Sequence, residues 1–482
     1  MFSLRRALSQ FVAQKETHSS TAMLGSAIRA VGLATQLGVL VLMGRLLPKS
    51  VFGDAVLVFT GYRLLSYAIG SGAGSLLVYH VSRHSGDTGL DLQLSRRLNL
   101  ITLALAAVVC TVCLLLAPSV SALFDKPGMA VWMLHMSPLI VAGALLQVTS
   151  SSLDARNRVT HSILLTELIP NLLRMLGIAC VALFKFPQIA VAWVFWLAVA
   201  VPWMFDAWRL FGRSPPRVQL DLRWADARYA FWLGTYPLLG MQLQGIDMVI
   251  AGILFPSSAV AEYSIASRLA TLFPFLQQMV VRVFTPQSGP LFKQNDVAKI
   301  NRELESLRHL SLASTASMAA IILVAAPVVV YLMGDYTAGL GVLVALAIPP
   351  LIRSNFAGIE VVLKMRAQGW VLAVSAVASL FVVVVGTWFL HGAIAMYSLP
   401  VSMLISAVSI NLLIAWHIHR GGIEIASLKL APLIASACVA LALAIMLLPQ
   451  VATSLVGGAF MGLVAWVAVR HQKIRPNYNA VS

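Results

Sequence analysis

The chain has 482 residues, of which 59% are hydrophobic and 11% charged, with a formal net charge of +16. Soluble domains carry roughly 25% charged residues, so the composition excludes a soluble globular protein and describes one that crosses a membrane many times. Basic loops of a bacterial-style membrane protein produce the same positive balance, so the charge carries no argument for nucleic acid as a partner.

The first 20 residues are polar and basic, with neither an apolar core nor a small-residue cleavage site. No signal peptide is expected there, and the first apolar segment should act as an uncleaved anchor. A membrane helix needs about 20 apolar residues. Fourteen segments meet that need, at 22–44, 51–81, 98–117, 129–150, 160–184, 188–208, 229–254, 259–288, 309–333, 337–361, 368–390, 393–418, 430–449 and 452–470. The fold class expected is therefore an all-α polytopic membrane protein. Cys110, Cys113, Cys180 and Cys438 all lie in apolar runs. Cys110 and Cys113 have CxxC spacing without a neighbouring strand pattern, which favours small buried hydrophobes over redox or metal chemistry.

Loop charges orient the chain. With the N-terminus placed in the cytoplasm, 24 of the 34 Lys and Arg residues fall in cytoplasmic loops, 4 on the opposite side and 6 within segments. That bias puts both termini in the cytoplasm.

The pattern also repeats. Gly44, Leu46, Pro48 and Ser50 return as Gly252, Leu254, Pro256 and Ser258, 208 positions later. Arg156-Asn-Arg158 falls at the same offset as Lys364-Met-Arg366. Segments one to six thus match segments seven to twelve in one orientation, a parallel repeat with a pseudo-two-fold along the membrane normal. The expected division is an N-terminal six-helix lobe at 1–212, a linker at 213–228, a C-terminal six-helix lobe at 229–420, and an extra helix pair with a tail at 421–482.

External loops are short. The longest, Ala117 to Gly128, has about a dozen residues and leaves no room for a catalytic domain. No GxxxxGK[ST] phosphate loop is present, so ATP hydrolysis by that route is excluded. Neither an enzyme nor a resident cofactor or metal is expected.

Charges inside segments mark function. Arg29, Arg63, Arg174, Arg268, Arg282 and Arg353 all fall within predicted helices. An arginine at the bilayer centre costs about 2.5–3.5 kcal/mol on insertion scales, so such residues face the bundle interior or water. Six of them imply a cationic cavity suited to a diphosphate, because guanidinium groups bind phosphate oxygens bidentately. Each has a plainer reading, snorkelling from a helix end or pairing with an acid. Arg268 and Arg282 are 14 positions apart, which puts them on one face of a continuous helix. Glu167, Asn171 and Arg174 form one stripe and Arg353, Glu360 and Lys364 another, with Glu167 and Glu360 placed to pair with the basic residues. Asp247 stands alone among apolar residues and glutamines, and Glu262 opens the eighth segment as a dipole partner. A lone intramembrane carboxylate is a candidate site for proton or sodium coupling, so Asp247, Glu262, Glu167 and Glu360 are the candidates. Gly70-Ser-Gly72-Ala-Gly74 follows no strand and reads as close helix packing rather than a phosphate loop. Trp193, Trp196, Trp203 and Trp208 share the sixth segment, where an interfacial belt and stacking on sugar are both open.

Gly44-Arg45-Leu46-Leu47-Pro48 with Phe52-Gly53, after an Arg-bearing first segment, resembles the opening of the polysaccharide transporters. Ile246-Asp247 and Ala261-Glu262-Tyr263-Ser264-Ile265-Ala266-Ser267-Arg268-Leu269 resemble that family's second half. These are the Wzx-type oligosaccharide flippases of the MATE-like superfamily. The resemblance implies a V-shaped bundle of two six-helix lobes around a cationic cavity. It implies transfer of an undecaprenyl-diphosphate-linked oligosaccharide across the bacterial inner membrane for polysaccharide biosynthesis, by alternating access coupled to H+ or Na+. The implied partners are that lipid-linked oligosaccharide, the coupling ion, membrane lipids and other polysaccharide-assembly proteins. The extra helix pair resembles that of the fourteen-helix lipid II flippases, where it helps seat the lipid tail. Arg29 and Arg63 with Arg268 and Arg282 would attract the diphosphate. Two alternatives stay open: a multidrug or cation antiporter of the same superfamily, and a membrane glycosyltransferase or polymerase.

Overall fold

The computed structural model describes residues 28, 31–83, 88–155, 158–211, 245–278, 280–281, 296–334, 336–366, 369–420 and 431–473. Among them every regular element is a helix. The chain divides into two compact units, Met1–Leu238 and Leu239–Ser482. The expected linker at 213–228 lies outside the described residues.

The first unit contains α1 (Val31–Leu46), α2 (Lys49–Arg83), α3 (Thr88–Leu123), α4 (Met129–Met136), α5 (Pro138–Ala155), α6 from Val159 to Leu183, and α7 (Ala190–Phe211). A π turn at Leu164–Leu168 interrupts α6. The small-residue run in α2 packs along α5. A Cβ on Gly70 would lie 2.7 Å from the Ala144 carbonyl, and one on Gly74 would overlap the Ser151 hydroxyl. Gly143 answers from α5, where a Cβ would lie 2.7 Å from Ser66 Oγ. Without a hydrophobic driving force between helices in lipid, such close backbone approach supplies dispersion contact instead. α4 and α5 meet at 46°. Pro138 causes the bend, since it lacks the N–H that would reach the Leu134 carbonyl. Ser137 Oγ donates to that carbonyl at 3.0 Å, and Tyr62 Oη donates to the Met133 carbonyl at 3.0 Å.

α3 does not stop near Ala117. It continues over Pro118 to Leu123 and leaves only residues 124–128 before α4, so the dozen-residue loop read from the sequence is shorter. Continuing a helix satisfies backbone groups that a loop at membrane depth would expose.

The second unit contains α8 (Ile246–Leu254), α9 (Ser257–Ala270), α10 (Val297–Met333), α11 (Gly339–Asn355), α12 (Ile359–Met365), α13 (Gly369–Ile394), α14 (Ser398–His419), α15 (Ala431–Leu447) and α16 (Gln450–Lys473). The segment at 337–361 is broken between α11 and α12, where Gly358 takes φ +103°. α13 turns back along α14 through a 3-10 turn at Ala395–Tyr397, with Ala395 at φ +44°. α16 packs along α10. Ser454 Oγ donates to the Leu323 carbonyl at 2.5 Å, the group that Pro327, four residues on, leaves without its helical donor. Gln450 Oε1 accepts the Gly341 N–H at 2.7 Å, capping the first turn of α11.

The repeat is written in the helix boundaries. Leu46 and Leu254 end helices, Lys49 and Ser257 begin them, Ala190 and Ser398 begin them, and Phe211 and His419 end them, each pair 208 positions apart. Packing repeats too. In the first unit α5 contacts α2, α3 and α7, and α6 contacts α7. In the second, α11 contacts α9, α10 and α14, and α13 contacts α14. Among the described residues six helical runs are long and apolar enough to cross a membrane, or seven with the bent pair of α4 and α5 as one span.

Candidate functional site

α6 carries Arg174 into the packed interior of the first unit. Its guanidinium carbon lies 5.1 Å from the Phe59 ring centroid on α2 and 5.4 Å from that of Phe195 on α7. The two rings meet edge to face, 4.6 Å apart. Both are less than 10% exposed, so their electron-rich faces hold the cation where water is scarce. Nη1 donates to Asn171 Oδ1 at 3.0 Å. Asn171 Nδ2 in turn donates to the Glu167 carbonyl at 2.7 Å and the Gly32 carbonyl at 3.2 Å. The arginine's hydrogen-bond partner therefore also ties α6 to α1. Arg63, half-buried on α2, is within electrostatic reach of Arg174. The structure gives Arg174 a different partner from the Glu167 expected of the stripe. Glu167 sits on the π turn, and its backbone carbonyl joins the stripe by accepting from Asn171 Nδ2.

In the second unit Asp247 occupies the first turn of α8, just after Gly245 at φ +84°. It is 2% exposed. Oδ2 accepts from Tyr263 Oη at 2.9 Å and from Ser267 Oγ at 2.6 Å, both on α9. Oδ1 has no hydrogen-bond partner among the described residues. Arg268, also buried, is close enough to act on the carboxylate electrostatically. Two hydroxyl donors and a helix N-terminus hold this acid in an apolar unit. Phe59 and Ser267 occupy equivalent repeat positions. One repeat uses the position to stack on a cation, the other to hydrogen-bond an acid.

The other expected site residues are dispersed. Arg29 and Arg282 lie outside the described residues. Arg268 and Arg282 do not share one continuous helix, because α9 ends at Ala270. Arg353 is half-buried in the last turn of α11. Glu360 is on α12, beyond the Gly358 break, so no single helix carries a stripe from Arg353 to Lys364; the Glu360 side chain is outside the described residues. Glu262 stands against the start of α11, where a Cβ on Gly339 would lie 2.9 Å from the Glu262 carbonyl oxygen. Burial, with the Glu262 charge nearby, raises the Tyr336 phenol above its ordinary range. Asp54 holds the equivalent repeat position in the first unit. A Cβ on Gly128, just before α4, would lie 2.9 Å from its Oδ2.

Two charged clusters were not singled out in the sequence. On α10, Arg308 Nη2 meets Glu305 Oε2 at 2.7 Å, and His309 Nε2 meets Glu305 Oε1 at 3.5 Å, with all three residues less than 10% exposed. Their i, i+3, i+4 spacing was the available signal. In the first unit, His161 Nε2 faces Asp206 Oδ2 at 3.9 Å. Forty-five positions separate those two, and no sequence pattern joins them. Among the described residues no three or more His, Cys, Asp or Glu side chains converge as a metal site would require.

Described residues that are helical throughout their regular elements, with repeated packing and buried arginines and acids on apolar helices, make this a multi-pass membrane protein with a transporter fold. Solved structures share that fold. The lipid II flippase MurJ, in an inward closed conformation, aligns with TM-score 0.67 over 94% of this chain and 99% of its own, at 12% identity. An inward-facing multidrug resistance MATE family transporter of the MOP superfamily aligns with TM-score 0.64 over 83% of this chain and 98% of its own, at 15% identity. A MOP superfamily transporter from Pyrococcus furiosus aligns with TM-score 0.57 over 83% and 95%, also at 15% identity. No curated protein sequence matches the chain. The chain belongs to the polysaccharide biosynthesis protein family, whose model matches residues 42–337.

Proposed function

We propose that the protein is a flippase that moves an undecaprenyl-diphosphate-linked oligosaccharide across the bacterial inner membrane for polysaccharide assembly. Its membership of the polysaccharide biosynthesis family supports the biological setting. The observation that carries the reading is the cationic interior of the first unit, where Arg63 and Arg174 lie within electrostatic reach of each other on apolar helices. Guanidinium groups held at that depth favour an anionic headgroup over the cations a multidrug exporter carries. Arg29, Arg63, Arg268 and Arg282 attract the diphosphate, with Arg174 and Arg353 contributing positive potential. The sugar crosses the membrane while the prenyl tail stays in lipid. Asp247 binds the coupling ion, H+ or Na+, and alternating access links that binding to transport.

The test uses a strain lacking the gene. A periplasm-restricted enzyme that acts on the sugar reports where lipid-linked units accumulate. Complete units trapped on the cytoplasmic side are expected. Neutralising Arg29 and Arg63 together in a correctly folded protein should reproduce the trap. Units exposed normally but left unpolymerised would point instead to a polymerase. Unchanged polysaccharide with raised drug sensitivity would point to an exporter.

A further inference from the structure

Trp203 and Asp206 lie three positions apart on α7 and therefore share a face. Asp206 is 9% exposed. Trp203 Nε1 and Asp206 Oδ2 are both buried atoms with no hydrogen-bond partner among the described residues. Native structures hydrogen-bond nearly all buried polar atoms, and an orphaned donor on the same helix face as an orphaned acceptor marks a place for a small polar group. His161, at the start of α6, approaches the same Oδ2 at 3.9 Å, beyond hydrogen-bond range. Its side chain is 40% exposed, so the cluster reaches the surface of the unit through the imidazole.

The donor set selects the ligand. An indole N–H has no lone pair to offer a metal ion, and a single carboxylate is a poor cage for one. A carboxylate also repels a phosphate. A hydroxyl suits both groups chemically, because its oxygen can accept from an indole N–H while its proton goes to a carboxylate. We infer that Trp203, Asp206 and His161 form a hydroxyl-binding site in the first unit, and that the hydroxyl belongs to the sugar headgroup the protein carries. This rests on the flippase reading and adds to it a contact for the sugar, distinct from the arginines assigned to the diphosphate. The indole contributes apolar surface beside its N–H, so one side chain serves both the edge and the face of a sugar ring.

The probe is a panel of methyl glycosides of the monosaccharides in the host's own surface polysaccharide, with glycerol as control. Each is titrated against the full-length chain in lipid nanodiscs by saturation-transfer NMR. At least one glycoside should bind saturably. Asp206→Asn should weaken it by roughly 10- to 100-fold, the effect of losing a charged hydrogen bond. Trp203→Phe keeps the ring and should weaken binding several-fold, about the effect of one neutral hydrogen bond. Because Trp203 is only partly buried, Trp203→Phe remains informative where Asp206→Asn fails to fold. Wild-type binding by both variants would overturn the site. Failure of every glycoside to bind would assign the two atoms to water and overturn it equally, as would glycerol binding as tightly as the glycosides. Normal periplasmic exposure of lipid-linked units in the deletion strain would overturn the flippase reading itself. Trapped units there, with glycoside binding unaltered in the variants, would remove this site alone.

Discussion

Asn171 is the residue on which the first unit's buried cation depends, and Asn171→Leu should be among its most damaging conservative-sized changes. Three hydrogen bonds disappear: the two that Nδ2 donates to the Gly32 and Glu167 carbonyls, and the one that Oδ1 accepts from Arg174. Neutral bonds contribute about 0.5–1.5 kcal/mol each and a bond to a charged group about 1.5–3 kcal/mol, so the loss is roughly 2.5–6 kcal/mol. Arg174→Met removes the charge and keeps the length. It forfeits the two ring contacts and one hydrogen bond but also the cost of holding a guanidinium away from water, so the net change should be small, about 0–2 kcal/mol. The double variant should then be less destabilised than the sum of the two by about 1.5–3 kcal/mol, because the stranded cation is gone. Reversible unfolding of the purified chain in mixed micelles, titrated with SDS, measures all three. Additivity within about 0.5 kcal/mol would refute the idea that Asn171 acts through Arg174.

Gly70→Val should prise α2 from α5, because its Cβ would meet the Ala144 carbonyl at 2.7 Å; a lowered melting temperature and poor yield of monodisperse protein are the readouts. Asp247→Asn keeps the acceptor for Tyr263 and Ser267, so the protein should fold while transport in proteoliposomes loses its dependence on an imposed ion gradient; retained dependence would remove Asp247 from coupling. Lys126 lies between α3 and α4. Burial pushes its ammonium below the ordinary lysine range, against the opposing pull of Asp54 and Asp125. A base with a lowered folded-state pKa destabilises the folded state in full below that pKa, and the penalty vanishes above the unfolded value near 10.4. Lys126→Met should therefore match or exceed the wild type in thermal stability at neutral pH, with the wild type gaining on it as pH rises through the lysine range. The opposite trend in paired melts would contradict this.

The internal repeat was legible in the sequence because its punctuation is local. Pro48 and Pro256 sit between consecutive helices, and helix ends elsewhere follow the same offset. Gly70 and Gly74 could be assigned to helix packing for the same reason, since small residues one turn apart act on whatever helix is nearby. The partners of charged groups were not legible. Asp247 is an isolated acid in the sequence, and the hydroxyls that hold it arrive from the next helix. Arg174 shares a sequence stripe with Glu167, but its guanidinium donates to Asn171 instead. Glu305, Arg308 and His309 were not singled out, because charged residues are usually exposed and only packing can show that these are not. Asp206 and His161 meet through tertiary structure alone.

The hydrogen bond from Ser454 to the Leu323 carbonyl makes the last two helices more than an appendage. Pro327 would otherwise leave α10 a flexible joint with a bare carbonyl facing hydrocarbon. α16 acts as a splint across that joint, so α10 should bend less there than the chain does at breaks such as Gly358. The two features should therefore travel together across this fold: a chain that ends after α14 has to do without a proline at this place in α10, or find another donor for the carbonyl it exposes.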